Sequence, residues 1–257
     1  MTRRLFLSIL PLLAIALAAA APQTEEPSPR YTIVAFGDST TAPRSVDGEA
    51  LRVYADILRD RFEAAAQPVR LINAGVPGDT TAKARARFGR DVQRHDPDLV
   101  IIQFGVNDSC VDVQAGKTKP RVPLTVYWDN LAFFVEALRA RGSAVILMTP
   151  NPLLWTDELR QRYGKPPYPL DDRWGFNLFN AEYAEAVRRI AKNKEVPLID
   201  LYQRFRDYDA QERQTADELL LDGMHPNAAG HAMIAQWLLQ QITKMPDTPK
   251  IVTAPSP

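Results

Sequence analysis

The sequence predicts an α/β protein, a parallel sheet with helices on both faces. Two observations predict it. Short Val/Ile/Leu-rich runs alternate along the chain with longer amphipathic stretches, which is the pattern of strands joined by crossover helices. The short runs also lack polar alternation, as strands buried on both faces should.

Five runs read as strands: residues 31–36 (YTIVAF), 69–74 (VRLINA), 99–104 (LVIIQF), 144–149 (AVILMT) and 196–201 (VPLIDL). Residues 49–66 read as a helix with Leu51, Ala55, Leu58 and Phe62 on one stripe. Residues 124–141 align Tyr127, Leu131, Phe134 and Leu138, with Gly142 as the stop. Residues 176–193 align Phe176, Phe179, Tyr183, Val187 and Ile190, and a last helix at 228–243 has Asn227 as its N-cap. These elements fill one domain from 31 to about 243.

Both ends differ in composition. Residues 1–20 combine Arg3 and Arg4 with an uncharged apolar run and an Ala18/Ala20 small-x-small pattern, which reads as a signal peptide cleaved after Ala20. Thr2-Arg3-Arg4-Leu5-Phe6-Leu7 also resembles a twin-arginine signal, and retention as a short membrane anchor is the competing reading. Export places the mature chain in the periplasm or outside the cell. Residues 21–30 form a Pro-rich linker, and 244–257 read as a disordered tail.

Charge and cysteine count narrow the function. The whole chain carries 31 Lys+Arg against 31 Asp+Glu; losing Arg3 and Arg4 leaves 29, a net charge of −2. That balance lacks the basic footprint of a nucleic-acid binder. A single cysteine permits neither an internal disulfide nor a multi-cysteine zinc site.

In a parallel sheet the chemistry belongs just beyond the carboxyl ends of the strands. Those places hold Gly37-Asp38-Ser39-Thr40, Asn73-Ala74-Gly75, Gly105-Val106-Asn107-Asp108 and Thr149-Pro150-Asn151-Pro152, with Asp222-Gly223-Met224-His225-Pro226 near the C-terminus. Acyl transfer needs an exposed hydroxyl, a base to take its proton, a carboxylate to hold the base, and donors for the oxyanion. Ser39 in a strand-to-helix turn fits the hydroxyl. His225 fits the base, and Asp222, three residues earlier, can reach its Nδ1 side. Asn107 Nδ2 with the N–H groups of Ser39 and Gly75 can form the oxyanion hole.

These four blocks resemble the SGNH hydrolases, also called the GDSL esterases, with Ser39 in GDST, Gly75 in NAG, Asn107 in GVND and His225 in DGMHP. The resemblance implies a three-layer α/β/α, flavodoxin-like fold with a central, mainly parallel five-stranded sheet. It also implies a serine esterase that needs no cofactor and no metal. Thr40 replaces the leucine of the family name, a variant that points toward carbohydrate acetylesterases.

Several residues carry two readings. Asp38 either bonds the turn that presents Ser39 or positions substrate. Segments 109–123 and 151–175 follow strands and should rim the site. Trp155 and Trp174 in the second are candidates for stacking on sugar rings, or else pack the loop. Cys110 reads as a small buried apolar residue, Asp108 as a tie between loops, and His231 as a packing or surface residue. Gly116-Lys117-Thr118 mimics the end of a phosphate loop, but Val111 stands where its first glycine belongs. No G-x-S-x-G or G-x-G-x-x-G occurs.

The expected function is an exported serine esterase acting on acetyl or short acyl esters, on small-molecule or polysaccharide substrates. The alternatives are a lysophospholipase or thioesterase of the same family, a non-catalytic carbohydrate-binding relative, and a nucleotide binder of shared architecture.

Overall fold

A computed structural model describes residues 31–249. The expected signal peptide and linker, and the tail beyond 249, lie outside the described residues.

The elements run β1 (Tyr31–Gly37), β2 (Arg44–Val46), β3 (Glu49–Leu51), α1 (Tyr54–Ala64), β4 (Val69–Gly75), α2 (Thr81–Asp91), β5 (Leu99–Gln103) and α3 (Val106–Ser109). They continue with α4 (Leu124–Arg139), β6 (Ala144–Met148), α5 (Asp157–Tyr163), α6 (Asn180–Lys194), β7 (Leu198–Ile199), α7 (Leu201–Asp209) and α8 (Ala228–Ile242). The main sheet has the order β4-β1-β5-β6-β7, every pair parallel.

The continuous apolar strands are explained by burial on both faces. Ile33, Ala35, Leu99, Ile101, Ile146 and Met148 enter one core beneath α1, α7 and α8. The residues between them, Val34, Phe36, Val100, Ile102, Val145 and Leu147, enter a second core against α2, α4 and α6. Because successive side chains point to opposite faces, each strand serves both cores.

Four expectations change. The helix expected from residue 49 starts at Tyr54, because 44–51 form the β2–β3 hairpin. The turn residues Asp47 (φ 52°) and Gly48 (φ 84°) drive that hairpin. The fifth strand shrinks to Leu198–Ile199, since Asp200 accepts from the Gln203 N–H and caps α7. Residues 81–91, 157–163 and 201–209 contribute helices that apolar spacing did not reveal. The start of the tail is packed: Met245 and Thr248 are buried, and the Thr248 hydroxyl donates to the carbonyls of Ile242 and Met245.

The order places the switch in chain direction at β1, between β4 and β5. The crevice of such a sheet opens there, at the carboxyl ends of β1 and β5. Ser39 follows β1 and Asn107 follows β5.

Candidate active site

The loop after β1 is built to expose one side chain. Asp38, Thr40, Thr41 and Ala42 are buried, whereas Ser39 between them is partly exposed. Asp38 Oδ1 accepts from the Thr40 N–H and hydroxyl, each at 2.8 Å, and the Asp38 carbonyl accepts from the N–H groups of Thr41 and Ala42. Those bonds close a tight turn with Ser39 at its outer corner. Complete burial pushes the Asp38 carboxyl up, against the lowering effect of its Thr40 hydrogen bonds. Asp38 is therefore a turn-forming residue closed to solvent, and the substrate-positioning expectation for it gives way.

The loop after Leu221 presents His225. Asp222 Oδ1 accepts from the backbone N–H groups of Met224 (3.0 Å) and His225 (2.8 Å), which folds the chain back on itself. Gly223 takes φ 81°, and a Cβ there would meet the Leu154 carbonyl at 2.5 Å. The Leu221 N–H donates to the His225 carbonyl, and Asn151 Nδ2, after β6, donates to the Met224 carbonyl at 2.8 Å. The result is a continuous chain: Asp222 Oδ2 lies 2.7 Å from His225 Nδ1, and His225 Nε2 lies 2.9 Å from Ser39 Oγ. Burial pushes the Asp222 carboxyl up, but the hydrogen bonds from His225 and Met224 outweigh it and hold it at about 2. Arg44 of β2 approaches Asp222 to 4.0 Å.

Three donors on the loops after β1, β4 and β5 have no acceptor among the described residues. Asn107 is buried, and its Nδ2 makes no hydrogen bond. The backbone N–H groups of Ser39 and Gly78 are likewise unengaged. Gly75 behaves differently from the expectation. Its N–H donates to Asn73 Oδ1 at 2.9 Å. Its lack of a side chain serves packing instead, because a Cβ would lie 2.7 Å from Ala42 Cα under the Ser39 loop. The exposed, unengaged N–H of this block belongs to Gly78, the third position of a Val76-Pro77-Gly78-Asp79 turn closed by an Asp79 N–H to Val76 carbonyl bond. Gly78 has φ 74°, as a type II turn requires. The Pro-Gly pair was the available sequence signal.

A buried arginine supports both strand ends. Arg87 of α2 donates to the carbonyls of Gly37 (3.0 Å) and Ala74 (2.8 Å), and to Asp79 Oδ2 (2.6 Å). It thereby fastens the Ser39 loop to the Gly78 turn. Sequence reasoning missed it because α2 shows no clear apolar stripe. Asp108 is a tie, accepting from the Thr81 N–H and hydroxyl at the start of α2. Burial pushes it up to about 7 despite those bonds.

The rim is packed by its own aromatics. Trp155 stacks on Phe176 at 4.6 Å and 16°, and its Nε1 donates to the Pro169 carbonyl. Together with Cys110, Tyr163 and Tyr168 they form a third apolar cluster. The guanidinium groups of Arg173 and Arg206 both approach the Trp174 ring, at 5.5 and 4.6 Å from its centroid, and Trp174 packs against the core beneath α7. Trp155 is thus buried in loop packing and offers no free face for a sugar ring, whereas Trp174 is only partly buried. Burial pushes the Cys110 thiol up. His231 Nδ1 accepts from the Tyr54 N–H at 3.2 Å, so this ring closes the start of α1.

A five-stranded parallel sheet between helical layers, with a hydroxyl, an imidazole and a carboxylate in sequence at its carboxyl edge, defines a class of hydrolytic α/β proteins. The profile of the GDSL-like Lipase/Acylhydrolase family matches residues 35–233, and the chain belongs to that family of carboxylic ester hydrolases. Bacillus subtilis lipoprotein YqeF is 29% identical over 205 residues, covering 77% of this chain and 82% of its own. The acetylxylan esterase of Geobacillus stearothermophilus is 27% identical over 68% of this chain and 72% of its own. Among solved structures, the lipase/acylhydrolase of Enterococcus faecalis superposes with a TM-score of 0.62 at 26% identity, over 82% of this chain and 95% of that one.

Proposed function

We propose that this protein is an exported serine esterase that removes acetyl or other short acyl groups from carbohydrates. Ser39 is the nucleophile, His225 the general base and acid, and Asp222 the carboxylate that orients the ring. The oxyanion hole consists of the Ser39 and Gly78 N–H groups and Asn107 Nδ2. The observation that carries the reading is the 2.9 Å and 2.7 Å relay from Ser39 Oγ through His225 to Asp222, together with three donors that lack acceptors on the loops after β1, β4 and β5.

The chemistry follows from that geometry. Ser39 Oγ attacks the ester carbonyl as its proton passes to His225 Nε2, and the carbonyl oxygen gains charge among the three donors. His225 then protonates the departing alcohol, leaving an acyl group on Ser39. Water repeats the two proton transfers in the same sense, releasing the acid and restoring the hydroxyl. Asp222 stays ionised and holds Nδ1 protonated.

Export rests on the pattern of residues 1–20, with residues 21–30 as the linker to the catalytic domain. The choice of a carbohydrate ester rests on the acetylxylan esterase relative, and the packed rim argues for a short acyl group. Ser39→Ala tests the assignment. The variant should fold as the parent does and lose turnover of acetyl esters; wild-type turnover would refute it.

A further inference from the structure

We infer that Arg121, braced by Asp112, is a positioning residue that fixes the amide of Asn107 with its nitrogen toward the reacting ester. The inference rests on the assignment of Asn107 to the oxyanion hole. Asn107 has one acceptor and one donor end, and either can face the crevice if nothing selects between them. Arg121 Nη1 donates to Asn107 Oδ1 at 3.4 Å. A guanidinium has donors only, so it selects the oxygen and turns Nδ2 the other way, where that nitrogen is buried without a partner.

The arginine is itself held. Its Nε and Nη2 both donate to Asp112 Oδ1, at 2.9 and 2.7 Å. Its backbone N–H donates to the Cys110 carbonyl, and the next residue's N–H donates to the Asp108 carbonyl. The chain at 121–122 therefore runs alongside the turn that carries Asn107. Burial works against the guanidinium's charge, but the Asp112 hydrogen bonds outweigh it and Arg121 stays protonated. Its positive charge behind the Asn107 carbonyl also polarises the amide, which strengthens the Nδ2 donor as the oxyanion forms.

A double-mutant cycle on acetyl ester hydrolysis tests this with Asn107→Ala, Arg121→Met and the pair. Arg121→Met should lower kcat about tenfold, less than loss of the donor itself, with KM within about twofold. In the Asn107→Ala background the same change should alter kcat by less than about twofold. Equal losses in both backgrounds, or unchanged kcat in Arg121→Met, would overturn the inference. If thermal melting shows Arg121→Met to be unfolded, Asp112→Asn replaces it, with a smaller kcat loss that also vanishes without Asn107; a loss that persists there overturns the inference. Should Asn107→Ala and Ser39→Ala both retain wild-type turnover, the esterase site itself is misassigned. Loss in those two but not in the arginine variant removes only the present inference.

Discussion

Asp222 and His225 are joined twice: Asp222 Oδ2 meets the His225 ring at Nδ1, and Oδ1 accepts the His225 backbone N–H at 2.8 Å. One carboxylate therefore sets both the path of the chain and the orientation of the ring. Asp222→Asn should preserve the turn's acceptor but present the wrong partner to Nδ1. We expect kcat to fall by about 10⁴, with a melting temperature near that of the parent, because the tautomer is lost and the fold is not. Since the Asp222 carboxyl is held at about 2, its titration should contribute nothing to the rate profile above about pH 4. Steady-state kinetics across pH checks both statements.

Arg87 binds two strand-end carbonyls and Asp79 from a buried position. Lysine keeps the charge but cannot reach three acceptors in a fixed fork. Arg87→Lys should cost about 1–3 kcal/mol in urea unfolding, the scale of lost hydrogen bonds from a charged group. It should also lower kcat by loosening the Ser39 loop against the Gly78 turn. Unchanged stability would show that the three bonds are dispensable.

His231 supplies an acid-sensitive element. Burial, with the nearby Arg44 and His225, lowers its pKa to about 3. The unfolded chain takes up this proton near pH 6.5, as free imidazole does, while the folded protein refuses it until about pH 3. Between those values the unfolded state binds more protons, so stability falls as pH falls. His231→Asn retains an acceptor for the Tyr54 N–H but does not titrate. Lowering the pH from about 7.5 to about 5 should destabilise the parent by about 2 kcal/mol more than this variant. Parallel unfolding curves at both pH values would contradict the assignment.

The packed rim should favour short over long acyl groups. Its aromatic side chains pack on one another, as Trp155 on Phe176 illustrates. Catalytic efficiency on p-nitrophenyl acetate should exceed that on the octanoate ester by tenfold or more (about 1.4 kcal/mol of discrimination). A preference for octanoate would favour a lysophospholipase or thioesterase reading. Acetylated and deacetylated oligosaccharides compared by mass spectrometry extend the test to the alcohol portion.

Much of the fold was legible because strands buried on both faces leave continuous apolar runs, as in Leu99–Gln103 and Ala144–Met148. The hairpin at 44–51 was hidden by Leu51, which falls in step with the helical stripe of Ala55, Leu58 and Phe62. That Ser39, His225 and Asp222 meet was readable, since side-chain type and local spacing point to it. Gly78 was not, because the property that matters is a backbone N–H left unengaged. The sequence reading chose Gly75, and the bond from its N–H to Asn73 Oδ1 overturns that choice. Trp155 looked available for stacking because composition does not reveal what lies against a ring. Arg87 and Arg121 act through carbonyl and amide oxygens distant in sequence, and no spacing announces them.

The central claim is that Ser39 carries the acyl group, and covalent labelling tests it most directly. A fluorophosphonate should abolish activity at one equivalent per chain, with peptide mass spectrometry placing the adduct on Ser39, and His225→Ala should slow labelling severely. An adduct on another residue, or full inactivation with Ser39 unmodified, would contradict the account.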